Sequence, residues 1–270
     1  MRIFIIPVTR TQWAFHCQPI NAVPTRMTKW ATSASERWNK WSVYPSTTWR
    51  GKIYTYGETL MDKISFKEYF LKEIPTKSEG ALVSKVDIVV PNILSETEVV
   101  NDLRALIATQ EPYHARWIWY CCYMLPVSSL FTLVPVIPNF PFFYNLFRVY
   151  SHYKARHGAQ HLQHLFERGA YEVIFDSELS KFYQSTYGSI ESTVPSQGSS
   201  SDDASNASER QSLDNRTLES GLPLLEHDPP LITDEDIARM ALYFQVPSFE
   251  SAVRRARHQI IADISKSSQS

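Results

Sequence analysis

Trp117-Ile-Trp-Tyr-Cys-Cys-Tyr-Met-Leu-Pro-Val-Ser-Ser-Leu-Phe-Thr-Leu-Val-Pro-Val-Ile-Pro-Asn-Phe-Pro-Phe-Phe-Tyr-Asn-Leu-Phe147 runs from Arg116 to Arg148 without one charged residue. A membrane-spanning helix needs roughly 20 apolar residues, and two antiparallel spans need about twice that plus a turn. The stretch is too long for one simple span and too short for two full ones. Pro135, Pro138 and Pro141 cluster within it and cannot continue a helix. The pattern therefore predicts a helical hairpin. One leg covers 117–134, kinked or started afresh at Pro126, and the other covers 141–156. Each leg has the length of a short or tilted span, or of a half-membrane re-entrant leg. Trp117 and Trp119, with Tyr120, Tyr144 and Tyr150, suit a membrane–water interface. The competing reading is a hairpin buried in a soluble core. Charge-free runs of this length favour the membrane.

Working outward, Arg148, Lys154, Arg156 and four histidines precede the first acid, Glu167. Such a basic flank favours the non-translocated side, so both ends of a hairpin would lie there. His157, His161 and His164 fall at i, i+4 and i+7, near one helix face. No Cys or carboxylate stands at supporting spacing and Gly158 weakens the helix, so a solvated histidine face is expected rather than a metal site. Cys121 and Cys122 lie inside the apolar run and read as inert thiols. With Cys17 they offer neither a disulfide framework nor zinc spacing. No nucleophile motif and no Gly-rich phosphate loop is present, so no enzyme activity and no cofactor is expected.

The 270 residues carry 27 Lys+Arg against 28 Asp+Glu, which excludes a strongly basic protein that coats nucleic acid. Residues 1–35 hold Arg2, Arg10, Arg26 and Lys29 and no acid, compatible with mitochondrial import, although Pro7 breaks any amphipathic helix at the start. Residues 2–8 read as a strand that Pro7 forces to an edge or terminal position, pairing with a strand at 85–90. Residues 20–73 read as helical pieces punctuated by tryptophans. Trp38 and Trp41 are three apart and read as packing residues. Ser95 and Glu98 form a capping box, so a helix starts near 96 with Val99, Leu103, Leu106 and Ile107 as its stripe. Residues 184–232 are Ser-rich, with eight acids against two bases, and read as a disordered linker. Thr233 and Ser248 each cap a tail helix, and the pair reads as a hairpin docked on the chain's own core, with a partner-binding module as the alternative.

The expected fold is mostly α with a short two-stranded β element. It divides into an N-terminal α+β region (1–95), helices with the apolar hairpin (96–183), the linker (184–232) and a C-terminal helical hairpin (233–266).

Several blocks resemble a known family. They are Met1-Arg-Ile-Phe-Ile-Ile-Pro-Val8, Cys17-Gln18, Trp38-Asn-Lys-Trp41, Trp49-Arg-Gly-Lys-Ile-Tyr-Thr-Tyr-Gly57 and Ile64-Ser-Phe-Lys-Glu-Tyr-Phe-Leu-Lys-Glu-Ile-Pro75. The most specific block is Val134-Pro-Val-Ile-Pro-Asn-Phe-Pro-Phe-Phe-Tyr144, followed by Phe147-Arg148 and Tyr150-Ser-His-Tyr-Lys-Ala155; Arg255-Ala-Arg-His-Gln-Ile260 closes the tail. Together they resemble the fungal mitochondrial potassium–proton exchange-related family over about 1–180 and 233–262. The resemblance implies a mitochondrial inner-membrane protein needed for potassium–proton exchange, and it carries over no catalytic residue. The candidate functional residues are Pro126, Pro135, Pro138, Asn139, Pro141, Tyr144, Arg148, Ser151 and His152, with Trp117 and Trp119 as interfacial aromatics.

Proton-coupled carriers place Asp, Glu, Lys or Arg inside the membrane between repeated helices, and residues 117–147 contain no ionisable carboxylate or base. The expected role is therefore accessory or regulatory. The expected partners are inner-membrane lipid and another membrane protein of the exchange system, with no nucleic acid. The alternative is a peripheral mitochondrial scaffold whose hairpin docks on a protein.

Overall fold

The computed structural model describes residues 1–20, 22–130, 139–183 and 230–267. The chain opens with β1 (Arg2–Pro7) and β2 (Trp13–Gln18), which pair antiparallel from Arg2 against Gln18 to Pro7 against Trp13. β3 (Val86–Pro91) lies parallel to β1, with Ile3 opposite Ile88, as the sequence indicates. β4 (Tyr171–Asp176) then adds parallel to β3, and the sheet order is β2-β1-β3-β4.

The sheet thus has four strands where two were expected. Residues 13–18 carry Trp, His, Cys and Gln and lack the β-branched alternation that marks a strand. Residues 171–176 follow the C-terminus of a long helix, where Gly169 takes φ +64° and Ala170 N donates to Leu165 O at 2.9 Å to reverse the chain.

β1 is internal, between β2 and β3, so Pro7 occupies a strand end and not an edge. It pairs with Trp13 beyond the last β1–β3 partner, Phe4 opposite Val89, where a missing N–H breaks no parallel ladder. The unbroken run Ile3-Phe4-Ile5-Ile6 now has a reason: both faces of the strand are covered. Ile3 and Ile5 pack with Phe15, Cys17, Ile88 and Val90 on one face. Phe4, Ile6 and Val8 pack with Ala14 and Val89 on the other.

The first face is covered by three helices: α3 (Phe66–Glu73), α4 (Glu96–Ser129) and α5 (Phe140–Glu167). Phe70, Leu71 and Ile74, Val99 and Leu103, and Ala155 and Leu162 are their buried contributions. Two earlier helices, α1 (Arg26–Asn39) and α2 (Trp49–Asp62), are joined by a 3₁₀ turn, Lys40–Val43. The second face is covered by a helical stretch at 177–183, α6 (Asp234–Phe244) and α7 (Pro247–Ser267).

Two of the three expected N-terminal signals are present: the Ser95–Glu98 capping box starts α4, and a Thr233–Asp236 box starts α6. Helix α7 begins at Pro247, so Ser248 lies inside its first turn and is not its cap; a proline's preset φ suits that position. The tail helices dock on the chain's own core through Ile237, Met240, Phe249, Val253 and Ile260.

Three expectations need correction. The stretch 117–129 is not a separate helix, because α4 is one element running through Pro112 and Pro126. Both prolines are exposed, and Asn145 Nδ2 from α5 donates to Cys121 O at 3.0 Å in the turn that Pro126 perturbs. No helix among the described residues is long and apolar enough to cross a membrane. Helices α4 and α5 form the crossover between parallel neighbours β3 and β4, and their bases are spent on the core. The expected linker also ends earlier than 232: Leu231 and Ile232 are buried, and Leu231 N donates to Val8 O at 2.7 Å. Most of that linker (184–229) and the expected proline turn at Pro135 and Pro138 lie outside the described residues.

Gly158 marks a close approach of α5 to α3. A Cβ there would lie 2.1 Å from Leu71 O and 3.2 Å from Ile74 O. Both contacts are backbone, so the helices must separate. Gly158→Ala is expected to destabilise the protein by about 2 kcal/mol or more, despite alanine's better helix propensity. Urea unfolding checks this; an unchanged or raised midpoint contradicts the close packing.

Candidate functional site

Three helices converge on one carboxylate. Ser65 caps α3, its hydroxyl accepting from Lys67 N, and the short helix turns Glu68, Phe70 and Leu71 inward. Helix α5 presents Arg148, Ser151 and His152 at i, i+3 and i+4, hence on one face. Helix α4 adds His114. Glu68, Ser151, His152 and His114 are all buried. Arg148 grips Glu68 with both ends of its fork, Nη1 to Oε1 at 2.7 Å and Nη2 to Oε2 at 3.2 Å. Ser151 Oγ donates to Oε1 at 2.5 Å.

The histidine protonation states follow from the donors. Arg148 cannot accept a hydrogen bond, so its Nη2, 2.8 Å from His152 Nε2, donates to that atom. His152 then carries its proton on Nδ1, which faces His114 Nδ1 at 2.8 Å and donates to it. His114 in turn holds its proton on Nε2, a buried atom with no hydrogen-bond partner among the described residues.

Both rings are thus neutral. Burial pushes the pKa of each down to about 4, against the pull of Glu68 and with the help of Arg148. The 3.9 Å approach of His152 Nδ1 to Glu68 Oε2 is therefore not an ion pair. Burial alone would raise the Glu68 pKa, but Arg148 and the Ser151 hydrogen bond outweigh it and hold the group below its ordinary value. Lys72 borders the cluster, its ammonium 4.8 Å from the Tyr69 ring centre and 5.1 Å from that of Phe147. Burial pushes its pKa down to about 8, against Glu68.

Glu68, His114 and His152 offer ligand atoms all within 4.8 Å of one another. Their chemistry does not suit a cation. A neutral imidazole has one lone pair; that of His152 accepts from Arg148 and that of His114 accepts from His152. The guanidinium already neutralises the carboxylate. The cluster is a structural lock between α3, α4 and α5, with the buried His114 Nε2–H left without a partner among the described residues.

The sequence-derived residues divide as follows. Arg148, Ser151 and His152 meet in this lock, turned inward. Asn139 caps α5, its Oδ1 accepting from Phe142 N at 3.3 Å, and Pro141 sits in the first turn. Tyr144 is half-buried, with its ring 6.1 Å from Phe140. Trp117 stacks on His152 at 6.0 Å, while Trp119 is 66% exposed.

The roles of Glu68, His114 and Lys72 are not legible from the sequence, because no sequence spacing links an acid in α3 to a base 80 positions later. The histidine face is solvated only in part: His157 and His164 are partly exposed, and His161 is not. His161 is buried and its Nδ1 donates to Pro75 O at 2.6 Å. Beside it, Lys154 pairs with buried Glu79, whose pKa burial would raise but whose bonds to Lys154, Thr28 and Thr76 bring it down to about 2. Burial pushes the Cys17 and Cys121 thiols up, in keeping with inert cysteines.

Beyond the lock the hairpin changes character. Ile118, Cys121, Leu125 and Ser128 face inward on α4. Trp119, Tyr120, Tyr123, Met124, Val127 and Leu130 are exposed, as is Phe143 on α5. This end presents an uncharged aromatic surface.

A family model described as mitochondrial K+–H+ exchange-related matches residues 2–166, more than half of the chain. An uncharacterized protein of Saccharomyces cerevisiae is 32% identical over 115 residues, covering 42% of this chain and 36% of that protein. An uncharacterized protein of Schizosaccharomyces pombe is 27% identical over 165 residues, covering 59% of this chain and 72% of that protein. The chain therefore spans about a third of the first relative's length. No solved structure matches it.

Arg148→Met strands the Glu68 charge and is expected to cost about 3–5 kcal/mol at neutral pH. Without its partner, Glu68 takes a folded pKa above its unfolded value, so the variant loses stability as pH rises through that pKa and its deficit shrinks in acid. Adding Glu68→Gln should restore much of the loss. Urea midpoints across pH test this, and a pH-independent deficit speaks against it. The histidines give a second slope. Their unfolded forms bind protons below about 6.5 while the folded forms resist until about 4, so wild-type stability should fall as pH drops through that window. His114→Phe should flatten the slope; an unchanged slope would show that His114 is not part of it.

Proposed function

We propose that this chain, which belongs to the mitochondrial K+–H+ exchange-related family, is an accessory or regulatory component of potassium–proton exchange at the mitochondrial inner membrane, and is not the ion carrier. The observation that carries the reading is the hairpin end: an exposed aromatic surface from Trp117 to Leu130 and at Phe143, with no charge between Arg116 and Arg148. Large uncharged aromatic surfaces on soluble faces mark contact with a membrane or a protein. Trp and Tyr are the side chains that settle at the headgroup level. With no spanning helix among the described residues, the hairpin end acts at the interface and reaches a membrane protein of the exchange system there.

An accessory role fits the placement of charge. A carrier needs ionisable groups that exchange partners along a path. The buried charges of Glu68, Arg148, Lys154 and Glu79 are paired within the globular base, and none lies in the hairpin end. The reading assigns the chain no catalytic step.

Fungal mitochondria lacking this protein should swell slowly in potassium acetate and recover on its re-expression. Purified protein in liposomes should exchange no potassium for protons by itself. Exchange by the purified chain alone would overturn the accessory role, and normal swelling without the protein would remove it from the system.

A further inference from the structure

Helix α1 has no buried residue. Its sequence, Arg26-Met-Thr-Lys-Trp-Ala-Thr-Ser-Ala-Ser-Glu-Arg-Trp-Asn39, is nevertheless amphipathic. Met27, Trp30, Ala31, Ala34 and Trp38 recur at helical spacing and form one apolar face. Arg26, Trp30 and Arg37 fall at i, i+4 and i+11, so two guanidinium groups border that face beside the tryptophan. Among the described residues, cover is found at the C-terminal end of the face. Trp38 packs against Tyr54 at 5.4 Å and Phe140 at 6.2 Å, and its Nε1 donates to Glu58 Oε1 at 2.8 Å. The other end is tied by its cap, where Thr25 and Thr28 reach Glu79. Between these ties Met27 is 48% and Trp30 58% exposed. A helix held at both ends with its apolar face bare is built to meet something outside the chain.

The charge around it selects the occupant. From 22 to 57 the chain carries Arg26, Lys29, Arg37, Lys40, Arg50 and Lys52 against Glu36 alone. Of these bases, Arg50 lies over the Tyr44 and Trp49 rings, and none is in an ion pair among the described residues. Trp49 and Tyr56 on α2 are exposed as well. A helix of low overall hydrophobicity, with Trp and Met on one side and bases at its border, has the composition of helices that lie in the plane of a membrane surface. Its surroundings agree. Phe140, the first residue of α5, touches both Trp38 and Tyr56 at 6.2 and 5.9 Å, so the bare helix adjoins the uncharged end of the hairpin.

We infer that α1 is a lipid-binding element: it lies in the headgroup layer of an anionic bilayer, with Met27 and Trp30 inserted, Arg26 and Arg37 on lipid phosphates, and Lys29, on the opposite side of the helix, adding to its positive field. This rests on reading the chain as membrane-associated, and it names the lipid chemistry and the element that recognises it. The hairpin end contributes apolar contact without charge preference, and α1 supplies the preference for anionic lipid.

The test is sedimentation of the purified full-length protein with vesicles of phosphatidylcholine alone or mixed with phosphatidylglycerol. Wild type should bind the mixed vesicles far more strongly, and the excess should fade with added salt. Arg26→Gln, Lys29→Gln and Arg37→Gln together should weaken that binding on the order of a hundredfold, since each base near an anionic surface contributes about fivefold. Met27→Ser with Trp30→Ser should also reduce it. All five positions are unburied, so urea midpoints should match wild type. A hairpin variant, Trp119→Ser with Tyr123→Ser, should bind both vesicle types more weakly and keep the anionic preference. Equal binding of wild type to the two vesicle types overturns the inference, as does wild-type binding by the triple variant. Binding to neither type also overturns it and leaves an acidic protein as the occupant of α1. Potassium-dependent swelling is read separately: normal rescue by a variant that no longer prefers anionic lipid sinks the lipid role of α1 in exchange and leaves the accessory role standing.

Discussion

A carboxylate withdrawn from water must have its charge met where it lies, because an unpaired buried ion costs several kcal/mol or more. Glu68 is met by the two-pronged guanidinium of Arg148, and the remaining geometry follows from that pairing. The fork has a spare N–H, which takes the lone pair of His152. That sets the His152 tautomer, and the tautomer sets that of His114. Helices α3, α4 and α5 are thereby held in one register. Sliding any of them by a turn would leave a charge or an imidazole unmatched. Apolar packing alone tolerates such slips, so the ionic lock specifies what the core stabilises.

The register matters because α4 and α5 connect β3 to β4. Parallel neighbours need a crossover, and here it is an antiparallel helix pair longer than the sheet requires. The lower half covers the sheet and the lock sits above it. Beyond the lock, among the described residues, Trp119, Tyr123 and Phe143 are exposed. The opposite face of the sheet must also be sealed, since β1 is apolar on both sides. Helices α6 and α7 do this from the far end of the chain, and Leu231 joins the N-terminal strand by hydrogen bonding to Val8.

Among the described residues, the hairpin end and the face of α1 expose large apolar side chains, and they adjoin at Phe140. Leaving large aromatics in water forgoes about 25 cal/mol for each Å² that could be buried. The two surfaces adjoin beside the stretch 22–57, which carries six bases against one acid. The paired charges of the lock lie beneath them, and no Asp, Glu, Lys or Arg occurs between Arg116 and Arg148.

The sequence by itself determined the local elements. The β1–β3 pairing, the Ser95–Glu98 box that starts α4, the tail helices and the charge-free hairpin were legible because each is written in residues one turn or one alternation apart. The family blocks pointed to Arg148, Ser151 and His152 as residues of interest, though not to what they hold. Only the tertiary structure decided that Arg148 turns inward to Glu68, that His114 completes the chain, that β2 and β4 widen the sheet, and that Gly158 admits α3. Those choices depend on side chains far apart in sequence, which periodicity cannot join. Periodicity also reports how apolar a helix is without saying what covers it, and so it read as membrane legs two helices whose lower halves are covered by their own core.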